Sequence, residues 1–346
     1  MPPQQVVISD RLPTTYGHAT MHKGSDEPFQ ILSLDGGGFR GLFTATVLAK
    51  WEEVLGHSIA RHFDMITGTS AGGIIGLGLA AGLPASALVK FYQEDGARIF
   101  PAKRSLSGFC QGALHYFRTK YGADRIEEAL RRRLPAITLG ELKKPVVITG
   151  FNLEAGRHWY FKTPHFEENV IDRNRQLWEV ARATSAAPTY FPAFRTSEKE
   201  LFIDGGLVAN NPSLVGYFEV ALKFAQCRDN IKILNIGTEG CECSLPGDRL
   251  ANGGLFRWAK KAPEVLMQAQ AVSIEALMGT LLGPDRWMRV KPEHGRNFAA
   301  LDVYDPEVYS GIGMTQAVRS YADVQRLFLK HQARTGLVQS SVKCTH

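Results

Sequence analysis

Phe63-Asp-Met-Ile-Thr-Gly-Thr-Ser-Ala-Gly-Gly-Ile-Ile-Gly-Leu77 is the stretch that decides the fold. It predicts a short apolar strand, a tight turn over Gly68-Thr-Ser-Ala-Gly72, and a helix rich in alanine and glycine. This order is the context that a G-x-S-x-G nucleophile elbow requires. Glycine is needed at both ends of the turn because the sharp bend leaves no room for side chains beside the serine. The stretch therefore predicts that Ser70 is a nucleophile at the edge of a sheet.

The neighbouring segments extend this pattern into a sheet. Phe29–Leu34 predicts a strand, the glycine loop Asp35-Gly-Gly-Gly-Phe-Arg-Gly41 follows it, and apolar residues at helical spacing predict a helix over Leu42–Gly56. Strand, helix, strand, elbow and helix form two turns of a βαβ winding, which predicts parallel strands. Further strands are predicted at 145–152, 201–204 and 231–237. The expected fold class is α/β, with a mainly parallel central sheet flanked by helices.

Length and composition are those of an ordinary soluble enzyme. The 346 residues are 44% hydrophobic and 21% charged. We predict an irregular leader over 1–28, a catalytic domain over 29–240, and a helical or mixed extension over 241–346 that packs on the same domain. The net charge of +6 suits an anionic lipid surface, a nucleic acid or a phosphorylated ligand, although solubility alone is the simpler explanation.

No segment predicts export or membrane insertion. Residues 1–28 lack the apolar run of a signal peptide, and the longest apolar stretch, Ala71–Leu83, is shorter than the roughly 20 residues that span a bilayer. The five cysteines match no zinc or disulfide framework; they are Cys110, Cys227, Cys241, Cys243 and Cys344. We therefore expect reduced thiols in a cytoplasmic protein.

The glycine loop admits two interpretations. Gly36-Gly-Gly-Phe-Arg-Gly41 satisfies the dinucleotide-binding pattern G-x-G-x-x-G, but the second strand runs into the serine elbow instead of ending in the acid that would bind a ribose. The loop also lacks the Gly-Lys-Ser/Thr ending of a P-loop. In a hydrolase, the amides of Gly36, Gly37 and Gly38 can approach an oxyanion beside Ser70. Arg40 would then fix either this loop or a substrate phosphate, or form a structural salt bridge.

Two kinds of residue could activate Ser70. An ordinary α/β hydrolase places a histidine last in its triad, in a short glycine-bounded loop just after a late strand. No later histidine matches that setting, and His294 is the best of them. Asp204 ends the predicted strand Leu201–Asp204, and Gly205-Gly206 leave room around its carboxylate. Desolvation, or direct contact with the serine, would make this carboxylate an adequate base. We therefore favour a Ser70–Asp204 dyad over an aspartate that only caps a turn.

Together, these segments resemble the patatin-like phospholipase family. The resemblance covers about residues 29–240 and rests on Asp35–Gly41, Gly68–Gly72, Thr184–Pro192, Asp204–Gly206 and Asn210–Pro212. It implies a lipid acyl hydrolase of the phospholipase A type, which cleaves fatty acyl esters of glycerophospholipids through an acyl-serine intermediate. It also implies a Ser–Asp dyad, no catalytic histidine, no calcium requirement and no metal or organic cofactor.

The resemblance carries over to particular residues of this chain. Ser70 would be the nucleophile and Asp204 the base. The oxyanion hole would lie at Gly36, Gly37 and Gly38, with Arg40 beside it. The glycines that complete the motifs are Gly41, Gly68, Gly72, Gly205 and Gly206.

A narrower resemblance concerns regulation. The first 80 residues are similar to bacterial patatin-like effectors of anti-phage systems, which a cyclic dinucleotide switches on to degrade membrane lipid; plant storage patatins are similar over the same segments. This implies membrane phospholipids as substrate, a cyclic dinucleotide activator, no nucleic-acid partner, and peripheral action at the inner membrane; a homo-oligomer stays open. The alternatives are a constitutive lipid acyl hydrolase and, in a different class, a non-catalytic nucleotide-binding module.

Clusters of positive charge suggest where lipid and activator would bind. Gly96–Tyr121 combines five Lys/Arg with aromatic residues and has no acidic residue, which suits an anionic interface or, equally, a core segment. Arg131-Arg-Arg133 and Lys260-Lys261 are candidates for contact with the phosphates of an activator, or are solvated faces.

Overall fold

The computed structural model describes residues 27–101, 119–166, 169–224, 227, 229–238, 254–293 and 301–338. Three predictions from the sequence lie outside these residues, wholly or in large part. They are the leader at 1–28, most of the basic and aromatic segment at 96–121, and His294 as an alternative base.

Eight strands form one mixed sheet in the order β5-β6-β3-β2-β1-β7-β8, with β4 also paired to β3. The middle of the sheet is parallel, because β1 pairs with β2 and β7, β2 pairs with β3, and β7 pairs with β8 in that sense. The pairs β3–β4, β3–β6 and β5–β6 are antiparallel. The strands are β1 (Phe29–Leu34), β2 (Met65–Gly68), β3 (Val146–Asn152), β4 (Arg157–Lys162), β5 (Phe194–Arg195), β6 (Leu201–Asp204), β7 (Ile231–Ile236) and β8 (Trp287–Val290).

Helices cover both faces of this sheet, as predicted for the α/β class. In the described residues they are α1 (Gly41–Leu55), α2 (Ala71–Ala80), α3 (Ala85–Lys90), α4 (Gly96–Ile99), α5 (Asp124–Arg133), α6 (Leu177–Thr184), α7 (Gly206–Ala209), α8 (Ser213–Lys223), α9 (Leu255–Leu282) and α10 (Pro306–Leu327). A π-helical turn at Phe91–Asp95 joins α3 to α4.

The alternation of side chains along β1 divides the core between the two faces. Leu32 and Leu34 lie in the larger cluster, which contains residues of α1, α2, α6 and α10. Phe29 and Ile31 point the other way, into a smaller cluster with residues of α8 and α9. Thus α10 and α9 lie on opposite faces of the sheet.

The geometry of β3 brings the two predicted catalytic segments together. Val147 on β3 pairs with β2 on one edge and β4 on the other, while Gly150 pairs with Asp204 of β6 and again with β4. The strands β2 and β6 therefore share one edge of β3. Strand β2 ends at Gly68, opposite Ile148 of β3. Strand β6 ends at Asp204, opposite Gly150, which is only two residues further along the same edge. The elbow and the acid meet at this point.

The long helix α9 corrects one expectation from the sequence. Within the described ranges, Lys261–Leu282 is long and apolar enough to cross a bilayer by length and composition. The expectation that Ala71–Leu83 is the longest apolar stretch is therefore wrong. Isolated polar residues, including Glu264 and Glu275, interrupt the α9 run in the sequence without making the helix polar.

Candidate active site

Ser70 occupies a strained turn between β2 and α2. Its φ of 51° and ψ of −120° are rarely adopted by a residue with a side chain. The turn is supported by Thr184, whose Oγ1 accepts a hydrogen bond from the Ser70 amide at 2.8 Å. A side chain at Gly72 would collide with the carbonyl groups of Leu34 and Asp35. A Cβ at Gly68 would lie 2.6 Å from the Gly72 carbonyl oxygen, so both glycines of the motif are required by close packing.

The Ser70 hydroxyl donates a hydrogen bond to Asp204. The Oγ–Oδ2 distance is 2.7 Å, which leaves no room for an intervening histidine. The other carboxylate oxygen, Oδ1, accepts the Gly206 amide at 2.7 Å. Gly205 packs against the backbone of Thr149, where a Cβ would collide. The two glycines after Asp204 thus allow the close approach that holds the carboxylate.

Thr184 also links the base to the nucleophile. Its carbonyl oxygen accepts the Gly205 amide at 3.3 Å, while the Asp204 amide donates to Ala186 at 3.0 Å. No pattern in the sequence predicts an individual role for Thr184. Its position in the Thr184–Pro192 segment of the resemblance was the available signal.

Burial changes the acidity of Asp204. The residue is only 1% exposed, and desolvation raises its pKa from 3.8 to about 7. The Gly206 amide, the Ser70 hydroxyl and the positive charge of buried Arg182 oppose this rise. The carboxylate therefore has a proton affinity suited to accepting a proton near neutral pH.

The glycine loop lies beside Ser70, but its three amides are not equivalent. The Gly36 amide donates to the Asn210 carbonyl at 3.1 Å, so it is already engaged. Within the described residues, the amides of Gly37 and Gly38 have no hydrogen-bond acceptor. Gly38 has a φ of 58°, which favours glycine, and a side chain there would collide with the Leu301 carbonyl. These two amides are the ones available to an oxyanion.

Arg40 and Gly41 contact the loop and the elbow rather than an open substrate site. Arg40 is 7% exposed, and its Nε donates to the Gly37 carbonyl at 3.2 Å. This contact fits the prediction that Arg40 fixes the loop. At Gly41, a Cβ would lie 2.9 Å from Cβ of Ala71 and closer still to the Tyr92 hydroxyl. Gly41 therefore permits α1 to start against α2.

A buried polar cluster that was not predicted from the sequence supports the start of the glycine loop. Asp35 forms an ion pair with Arg289 on β8 at 2.8 Å and accepts a hydrogen bond from Asn235 on β7 at 2.6 Å. Arg289 also bonds to the Asn235 side chain and lies 3.2 Å from Glu275 on α9. The Phe39 amide donates to the Leu301 carbonyl at 2.8 Å. No short-range pattern in the sequence connects residues so far apart.

A cavity opens onto the dyad, and together with its mouth open to solvent it holds about 610 Å³ of empty space. Its lining includes Ser70, Asp204 and Met267 of α9. The remaining lining is mostly apolar and aromatic, and includes Phe91, Tyr92, Phe100, Tyr190 and Phe191. Such a cavity suits a long apolar group whose reactive end stops at Ser70.

Among the described residues, His331 and the basic clusters have partners elsewhere in the protein. His331 bonds to Asp64 at 2.8 Å, at the far end of β2 from Ser70. In the cluster 131–133, Arg132 and Arg133 bond to Asp95, and Arg133 also pairs with Glu94. Arg131 stacks on Trp178, and Lys261 pairs with Glu264 at 2.7 Å. These described basic side chains are therefore engaged within the protein.

Comparison with known proteins agrees with the resemblance drawn from the motifs. The sequence model of the family described as patatin-like phospholipase matches residues 32–215. A protein of Pseudomonas aeruginosa named cGAMP-activated phospholipase is 38% identical over 281 residues, which cover 79% of this chain and 82% of that protein. A protein of the same name from Vibrio cholerae is 38% identical over 277 residues, 73% of this chain and 76% of that protein. The chain therefore belongs to the patatin-like phospholipase family.

Proposed function

We propose that the protein is a phospholipase A type acyl hydrolase that uses Ser70 and Asp204 as a catalytic dyad. The observation that carries the proposal is the direct 2.7 Å hydrogen bond between Oγ and Oδ2 at the end of an apolar cavity. The cavity would hold a fatty acyl chain of a glycerophospholipid, with its ester carbonyl at Ser70. The raised pKa of Asp204 supports its role as the base.

The proton moves between only two side chains. As Ser70 Oγ attacks the ester carbonyl, its proton passes to Asp204 Oδ2, and a tetrahedral oxyanion forms. Collapse of this intermediate breaks the ester bond, and Asp204 returns the proton to the departing alkoxide of the lysophospholipid. Water then attacks acyl-Ser70, Asp204 accepts a proton from the water, and the fatty acid leaves as Ser70 regains its proton.

The amides of Gly37 and Gly38 would stabilise the oxyanion. Gly36 belongs to the same loop, but its amide donates a hydrogen bond to the Asn210 carbonyl. We therefore assign Gly36 a role in holding the loop and not in binding the oxyanion. Arg40 holds the loop through the Gly37 carbonyl. Amides fixed in this way can accelerate the reaction because they need no rearrangement as negative charge develops.

A cyclic dinucleotide is the proposed activator. Two relatives at 38% identity are named cGAMP-activated phospholipase, which supports the regulation implied by the narrower resemblance. A hundredfold increase in activity needs about 2.7 kcal/mol of differential affinity between the active and resting states. In the charge clusters at 131–133 and 260–261, Arg132, Arg133 and Lys261 already pair with acids, so the activator's phosphates would have to compete with these carboxylates.

The cellular role follows from this regulation. We propose a cytoplasmic enzyme that acts peripherally on the inner membrane and degrades its lipids in antiviral defence once the activator appears. Its substrate partners are membrane phospholipids. We expect no nucleic-acid partner, and a homo-oligomer stays a prediction.

The test compares wild type, Ser70→Ala and His294→Ala on membranes, with and without cGAMP, by lipid mass spectrometry. We expect lysophospholipid and free fatty acid from wild type and His294→Ala only when cGAMP is present. A fluorophosphonate probe should label wild type and not Ser70→Ala. Full activity without cGAMP would indicate a constitutive hydrolase. Absence of both hydrolysis and labelling would favour the nucleotide-binding module.

A further inference from the structure

The helix α9 has an exposed face that carries no charge. Four large apolar side chains along it are exposed: Leu266 by 57%, Val272 by 54%, Leu277 by 56% and Leu281 by 46%. Residues 266–281 extend over about 24 Å at the rise of an α-helix. An apolar helix in a protein core would be mostly buried. In α9, only 22% of the most apolar 18-residue segment is buried.

Four polar side chains in the described part of α9 have hydrogen-bond or ion-pair partners within the protein. Ser273 and Thr280 donate their hydroxyl protons to carbonyl groups one turn earlier, at 2.8 and 3.0 Å. Glu264 accepts the Tyr190 hydroxyl and pairs with Lys261. Glu275 forms ion pairs with Lys291 and with Arg289. The exposed face therefore consists mainly of apolar side chains, and its hydroxyl groups do not depend on water as a hydrogen-bond acceptor.

The opposite face of α9 packs on the catalytic body from Met267 to Leu282. Ile274, Met278 and Leu282 belong to the core cluster beneath the sheet. Near the middle of the helix, Met267 lines the cavity at the dyad. A helix held in this way lies along the protein surface and does not cross a bilayer. Its apolar face begins next to the cavity that receives the substrate.

We infer that the exposed face of α9 is the surface that binds the lipid layer. The inference rests on the proposed function, because a phospholipase must draw its substrate from such a layer. An amphipathic helix lying in the interface buries its apolar face near the boundary of headgroups and acyl chains. The neighbouring helix α8 exposes Phe218 and Leu222 on the same side of the sheet. The net charge of +6 adds attraction to an anionic leaflet.

The test introduces charge on this face at a distance from the cavity. Leu277→Asp/Leu281→Asp is compared with Met314→Asp/Val318→Asp, which alters two exposed apolar residues of α10 on the opposite face of the sheet. Binding is measured by flotation with vesicles of phosphatidylethanolamine and phosphatidylglycerol, with cGAMP present and Ser70→Ala in every protein to keep the vesicles intact. We expect roughly hundredfold weaker binding for the α9 variant only.

Activity with Ser70 restored separates this inference from the proposed function. The α9 variant should keep its hydrolysis of a soluble short-chain ester and lose hydrolysis of vesicle lipid. Failure of wild type to hydrolyse either substrate would refute the proposed function, while flotation would still report on the surface. Equal flotation of wild type and the α9 variant would overturn the inference. If that variant also changed a dimer into a monomer by light scattering, the face would instead bind a second copy.

Discussion

Replacing Asp204 with asparagine is expected to remove activity and increase stability. Asparagine keeps the shape of the side chain, and its oxygen can still accept the Gly206 amide. It cannot take the proton of Ser70, so turnover of a soluble ester should fall by about 10²- to 10⁴-fold. The gain in stability arises because the wild-type carboxylate is buried, at 1% exposure, in an environment that disfavours its charge.

The magnitude follows from the pKa of Asp204, which rises from 3.8 to about 7 on folding. Below about pH 4 both the folded and the unfolded chain hold the proton, so the group contributes nothing to the pH dependence. As the pH increases from 4 to 7, only the unfolded chain releases it, and the folded state loses stability. Above about pH 7 the loss is complete, at about 4 kcal/mol. Asparagine has no such penalty.

Urea unfolding between about pH 5 and pH 8 measures this difference. Asp204→Asn should exceed wild type by up to about 4 kcal/mol at the highest pH, and the gap should narrow as the pH falls. Asp323→Asn is the control, because Asp323 is 61% exposed and its removal should give a small difference. A gap of the same size at both ends of the pH range, or none at about pH 8, would refute the reasoning.

Four further predictions concern the same site. For a soluble ester, kcat/KM should increase about tenfold per pH unit and level off above about pH 7, as Asp204 ionises; a flat profile down to about pH 5 would contradict this. Ser70→Gly should be more stable to urea than Ser70→Ala by about 1 kcal/mol, because glycine relieves the strained φ; equal stabilities would argue against strain. Thr184→Val should lower the free energy of unfolding by about 1–3 kcal/mol, since the Ser70 amide loses its acceptor, whereas Thr184→Ser should restore it. Arg289→Leu should reduce kcat by roughly tenfold to hundredfold with little change in KM, because Asp35 no longer anchors the glycine loop; an unchanged kcat would refute this role.

The elbow was predictable because its chemistry is local. The apolar run before Gly68 and the glycines around Ser70 specify strand, bend and helix within a few residues. The same holds for Asp204, which ends a short strand before two glycines. The family and the α/β sheet flanked by helices were predicted correctly from these segments and their order.

The direction of β6 could not be predicted from the sequence, because apolar residues alternate in the same way in parallel and antiparallel strands. The register, in which Gly150 pairs with Asp204 and Asn152 with Phe202, shows that β6 runs antiparallel to β3. The engagement of the Gly36 amide depends on the carbonyl of Asn210, which is distant in sequence. The support of Asp35 by Arg289 depends on a strand near the other end of the chain. Such contacts are products of tertiary structure.

These long-range supports have a consequence for synthesis on the ribosome. A nascent chain that has reached residue 240 already contains the nucleophile, the base and all the loop glycines. It still lacks Arg289, which anchors Asp35, and Leu301, which accepts the Phe39 amide. We expect the loop to acquire its working shape only when these late residues emerge. Translation order would then delay hydrolysis until residues 289 and 301 have emerged, and we expect products that terminate before them to be inactive.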